Sequence, residues 1–191
     1  MFRTSLELNY LKRPLRPLYG WTQATPKAGY LDPSWTRSVA IYPGMVMTKT
    51  VGNNYTLIGS AAATNTAQQP AGLCANFIGG AGIDELLESG VNALAVWELG
   101  PDAEFELLNL GPANTAGYGA FDASQSWTSI DTNSGTDVLL YASVAGANQG
   151  QLVPQAYGGT KSADAVARLI QVESPNSIII GGLKVRSGAV A

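Results

Sequence analysis

Three carboxylates, Asp102, Glu104 and Glu106, follow one another at two-residue spacing in "LAVWELGPDAEFELL" (residues 94–108), just after Trp97 and the Gly100-Pro101 pair. Two carboxylates held about 5–10 Å apart across a cleft hydrolyse glycosidic bonds, and same-face neighbours on a strand are about 6.6–7 Å apart, so distance alone permits that chemistry. A glycosidase acid also needs an apolar pocket to raise its pKa, and two glutamates on an open strand face lack one. The alternation favours a plainer role. Ala103, Phe105 and Leu107 share one face of a strand, and Glu104, Glu106 and Leu108 share the other, as in a strand that is half buried. The stretch therefore reads as a solvated acidic strand face, with Asp102 capping the turn after Pro101. A partner-binding acidic patch and a metal or catalytic site are the lesser readings.

The rest of the chain offers little more chemistry. There is no histidine among the 191 residues, which removes imidazole bases, Ser-His-Asp and Cys-His catalysis and His-ligated metals. Cys74 is the single cysteine, set in "AGLCANF", and reads as a buried, inert thiol. "DTNSGTD" (131–137) has the Asp and Asn density of a calcium loop but not the EF-hand spacing. "GGAG" (79–82) lacks the Lys-Ser/Thr of a phosphate loop, "IIIGGL" (178–183) lacks dinucleotide-fold glycine spacing, and "SADA" and "SVAG" are not nucleophile elbows. No catalytic residue, cofactor or metal is expected.

Charged residues make up only 13% of the chain, against about 25% in ordinary soluble domains. Their distribution is uneven. Residues 1–37 hold six basic and two acidic residues, a net +4, and residues 38–191 hold five basic and twelve acidic, a net −7. A basic arm on an acidic body points to two surfaces with two jobs. Six cations over 37 residues in an acidic protein argue against a nucleic-acid partner. The N-terminus lacks the apolar core of a signal peptide, and no window approaches the roughly 20 apolar residues of a membrane span. A chain made in a cytoplasm, with no membrane partner, is expected.

The elements needed to place these residues are strands. "SVAIYPGMVMTKT" turns at Pro43-Gly44, "GNNYTLIGSAA" follows a turn at residues 52–54, "QQPAGLCANFIGG" and "NALAVWELG" are apolar strands, and "GIDELLESG" (82–90) has helical spacing in Ile83, Leu86 and Leu87. Trp97 and Leu99 share a face. Residues 109–137 are rich in Gly, Ala, Ser and Thr and read as a loop-rich insertion with one short strand near Trp127–Ile130. "DVLLYASVAG" and "GQLVPQAY" are further strands. "RLIQVESPNSIIIGGLKV" is a hairpin around Ser174-Pro175-Asn176-Ser177. The fold class is all-β, an antiparallel β-barrel or sandwich with one short helix (38–191) and an extended N-terminal arm (1–37). Pro14, Pro17, Pro26 and Pro33 keep the arm extended. Large apolar groups in the arm suit docking, either onto a partner or onto the chain's own domain.

"VAIYPGMVMTK", "PAGLCANFIGG" and "GVNALAVWELGPDAEFEL", in that order, resemble the phage head decoration, or cement, proteins. The shared pattern is a strand into a Pro-Gly turn, an x-Gly-Leu strand, and a strand with an aromatic before a polar turn. It covers residues 38–108, and in it Pro43, Gly44, Gly72, Leu73 and Trp97 are core and turn positions. The resemblance implies a tulip-like β domain that binds the outer surface of a capsid at symmetry axes, often as a trimer, and clamps adjacent major capsid protein subunits. It implies an N-terminal arm that completes a sheet with the shell. The partner-binding residues expected here are Tyr10, Leu11, Arg13, Arg16, Tyr19, Trp21, Tyr30 and Trp35. The chain is longer than the smallest members of that group. A phage tail or baseplate subunit is an alternative, as is a carbohydrate-binding module that uses Trp97, Trp127, Tyr118 or Tyr141 as sugar platforms. An enzyme ranks last.

Overall fold

Residues 15–19, 25–33, 40–59, 69–78, 93–109 and 119–183 are described in a computed structural model. Their strands are β1 (Leu15–Tyr19), β2 (Thr25–Leu31), β3 (Val46–Lys49), β4 (Asn54–Leu57), β5 (Pro70–Cys74), β6 (Ala93–Glu98), β7 (Glu104–Leu108), β8 (Val138–Ala142), β9 (Leu152–Pro154), β10 (Ala167–Ser174) and β11 (Ser177–Gly181). They form two units: a closed barrel in the order β2-β4-β3-β5-β6, and a six-stranded sheet in the order β1-β7-β11-β10-β8-β9. The all-β expectation holds. Among the described strands every pairing is antiparallel except β2 with β4, a parallel contact that closes the barrel.

The barrel wall is apolar on both faces, because it serves two cores. Met47, Leu57, Cys74 and Val96 pack inside the barrel with Leu31 and Met45. Their chain neighbours Val46, Ile58, Leu73 and Trp97 point the other way and pack against the sheet's Phe105, Leu107, Leu140, Ile178 and Ile180. Adjacent residues on a strand face opposite sides, so a strand buried on both faces reads as an unbroken apolar run such as "MVM" or "AVW". Trp97 and Leu99 share the second core, as their spacing predicts.

Two turns follow their sequence signals. Gly44 has φ +90°, a conformation that favours glycine, and a Cβ there would sit 2.5 Å from the Cβ of Ala120. Ser174 pairs with Ser177 across the two-residue loop Pro175-Asn176. Buried Cys74 has its thiol pushed up from 9.0 to about 12 by desolvation, partly offset by its contact with the Asn76 carbonyl. It stays protonated and unreactive at neutral pH.

One expected strand is absent. Trp127–Ser129 is a single 3-10 turn. The reason is Asp122, whose buried carboxylate accepts from the Ser124 N–H and Oγ (3.0 and 2.6 Å), from Gln125 Nε2 (2.8 Å) and from Asn148 Nδ2 (2.7 Å). The Trp127 indole N–H donates to the Asp122 carbonyl at 2.6 Å. Local side-chain bonds of this kind draw a segment away from sheet ladders. The short helix expected over residues 82–90 lies outside the described residues. Among the described residues the helical pieces are two 3-10 turns, Trp127–Ser129 and Gly146–Asn148.

Candidate interaction surface

β1, with the sequence LRPLY, lies along the outer edge of β7. Leu15 pairs with Leu107, Arg16 with Glu106 and Pro17 with Phe105, and the register shifts between Pro17 and Tyr19. Proline cannot donate to a ladder and is tolerated at a sheet edge, which is where this strand sits. The Arg16 guanidinium forms an ion pair with the Glu106 carboxylate, and Ser177 Oγ donates to its other oxygen at 3.3 Å. Glu106 is 7% exposed.

This corrects the reading of residues 104–106 as an open acidic face. β1 covers Glu106, and a strand about ninety positions away supplies its counter-charge. Both carboxylate oxygens of Glu106 are therefore engaged within the sheet, one by the Arg16 guanidinium and one by the Ser177 hydroxyl. Asp102 is exposed in its turn. Among the described residues no three His, Cys, Asp or Glu side chains come together to hold a metal ion.

The second exposed feature is at one end of the barrel. Tyr30 on β2 is 49% exposed, while its neighbours Gly29 and Leu31 are buried. Gly29 is required because a Cβ there would collide with the Tyr55 ring. The Tyr30 N–H donates to the Asn53 carbonyl at 3.0 Å, and the Asn54 N–H donates to the Val51 carbonyl at 3.2 Å, so backbone bonds tie Tyr30 to the β3–β4 turn. Val51 in that turn is 82% exposed. The outward face of β2 continues as Ala28 and Pro26, which pair with Ala95 and Trp97 of β6, and Tyr30 pairs with Ala93. None of these six positions of β2 and β6 carries a charge, and the nearby Lys27 is paired with Glu98 at 3.3 Å.

Of the expected partner-binding residues, the fold places Arg16 and Tyr19 on β1 and Tyr30 on the barrel. Tyr10, Leu11, Arg13, Trp21 and Trp35 lie outside the described residues. Sequence reasoning missed Val51, and it counted Leu18, 39% exposed, only among the apolar groups of the arm. A valine between Thr50 and Gly52 in a polar turn was the available signal for the first.

The sugar-platform residues are engaged elsewhere. Trp127 is buried, edge-on to Phe121 at 5.3 Å between ring centroids, and Trp97 packs on Phe105 at 5.7 Å. Lys161 lies over the Tyr141 ring at 5.2 Å, and Tyr118 is outside the described residues.

The family model described as "phage cement protein" matches residues 1–190 of this chain. The chain belongs to the phage cement protein family. Cement proteins stabilise phage capsids, so this cement protein is a structural component associated with a virion's capsid. No curated protein and no solved structure matches it. The cement fold seen here is thus a five-stranded barrel joined to a six-stranded sheet through a shared core.

Proposed function

We propose that this cement protein is a non-enzymatic clamp that binds the outer surface of the capsid and holds adjacent major capsid protein subunits together, acting as a homo-oligomer, with a trimer favoured. The observation that carries this reading is the exposed apolar pair at the barrel end, Tyr30 and Val51, beside the uncharged positions Pro26, Ala28, Ala93 and Ala95. Exposed aromatic and aliphatic groups in one place are the usual anchors of a protein contact. The arm residues Tyr10, Leu11, Arg13, Trp21 and Trp35 extend the contact from the chain's N-terminal side. Repetition over a shell lets modest single contacts act together.

The test is co-sedimentation with undecorated capsids of the parent virus. The full chain is expected to pellet at saturable stoichiometry. A double variant, Tyr30→Asp with Val51→Asp, is expected to bind about tenfold or more weakly, because each change puts a charge where an apolar anchor was. Both side chains are exposed, so its thermal midpoint should stay close to that of the parent. A chain that begins at residue 15 isolates the contribution of Tyr10, Leu11 and Arg13. Full occupancy by the double variant would remove the barrel end from the contact. No binding by the full chain would overturn the capsid reading and turn attention to self-assembled tubes, the mark of a tail subunit.

A further inference from the structure

We propose that the β7 edge takes β1 from a second copy of this chain as well as from its own, so that neighbouring copies are joined by reciprocal strand exchange. β1 is a strand of the six-stranded sheet, and the next strand, β2, belongs to the barrel. Only residues 20–24 join the two. Everything that holds β1 in place is present on any copy: the register of Leu15 with Leu107 and Arg16 with Glu106, the burial of Leu15 against the main core, and the Arg16 charge on Glu106. Without β1, β7 would be an edge strand with Phe105 and Leu107 facing the core. Glu106 would keep the Ser177 hydroxyl as a partner but lose its cation.

Such an edge selects an extended segment with a cation at one position, and Leu15–Tyr19 is that segment. β1 is also a strand that can leave. Pro17 has no N–H to give, and the register shift after it interrupts the ladder. Contacts within one copy and between two copies are the same, so concentration decides between them. A short linker provides an effective concentration of about millimolar, and closely spaced copies on a surface approach that range. The inference rests on the capsid reading only for this crowding.

A charge-swap mixture tests it without any capsid. Arg16→Glu and Glu106→Arg each place like charges across β1 and β7 within their own chain. In a reciprocally exchanged dimer of one chain of each kind, both ion pairs are restored. Sedimentation velocity and native mass spectrometry with one chain isotope-labelled are expected to find dimer about tenfold or more enriched in the mixture over either chain alone. A mixture that equals the sum of its parts would overturn exchange and leave β1 a fixed strand of its own copy.

A second pair of chains gives the same answer should Glu106→Arg fail to fold. With Cys74→Ser in both, Arg16→Cys on one chain and Glu106→Cys on the other occupy paired positions, whose Cα spacing of about 4.5–5.5 Å suits a disulfide. Exchange yields a mixed disulfide well above the level from Arg16→Cys with Lys49→Cys, and equal levels would refute it. Failure here leaves capsid co-sedimentation unaffected, so the two readings fail separately.

Discussion

A chain that begins at residue 34 is expected to lose its cooperative unfolding transition, while one that begins at residue 15 keeps it. The difference is β2. This strand closes the barrel, pairing with β6 from Thr25–Glu98 to Tyr30–Ala93 and with β4 through Tyr30 and Leu31. Leu31 is buried in the barrel core, the Asp32 N–H donates to the Tyr55 carbonyl at 2.8 Å, and Thr50 Oγ1 donates to the Asp32 carboxylate at 2.5 Å. Removing β2 costs about 2 kcal/mol for Leu31 alone and about 1 kcal/mol for each ladder bond. It also opens two sheet edges and wets the barrel interior. Against a total stability of about 5–15 kcal/mol, that loss is fatal. Circular dichroism melts of the two truncations decide it. A sharp transition in the shorter chain, within a few degrees of the parent, would show that the barrel closes without β2.

The second large effect is at the seam between barrel and sheet. Phe105→Ala should destabilise the chain by about 3–5 kcal/mol, the usual range for deleting a buried phenyl ring. For a chain of this size that is roughly 6–20 °C in the melting midpoint. Phe105 is fully buried on β7, and its ring meets Trp97 from the barrel strand β6. The cavity would lie between the two units and could not be filled from either without moving a strand. Phe105→Leu, which keeps most of the volume, should cost about 1.5 kcal/mol or less. Denaturant titration reads both. A cost under about 1 kcal/mol for the alanine variant would mean that the seam is not packed around this ring.

Much of the strand pattern was legible because it is local. The Pro43-Gly44 turn, the apolar runs of β3, β5 and β6, and the hairpin at Ser174–Ser177 each carry their own signal. What was not legible depends on distant partners. "TPKAGYL" contains a proline and a glycine and has weak strand propensity. It is a barrel strand because β6 and β4 supply its hydrogen bonds and because Gly29 makes room for Tyr55. The pattern of residues 103–108 was read correctly as two faces. That the acidic face is covered depends on Arg16, whose proximity no local window reveals. The Trp127 turn was missed because Asp122, Ser124 and Asn148 compete with a ladder through their side chains. Of the two exposed apolar residues at the barrel end, Tyr30 was singled out from the sequence and Val51 was not.

The pairings also set the order in which the chain can fold during synthesis. Leu15 finds Leu107, Thr25 finds Glu98, and Leu108 finds Ser177, so the pairings that join β1, β2 and β11 to β7 and β6 each close a long loop. Long-range pairing of this kind folds in milliseconds to seconds rather than microseconds. Of the described strands β1 leaves the ribosome before the others, yet its partner is translated about ninety residues later, about 5–18 s at ordinary elongation rates. Through that interval the N-terminal strand has no sheet to join, and on a polysome the nearest finished β7 edge can belong to the chain ahead.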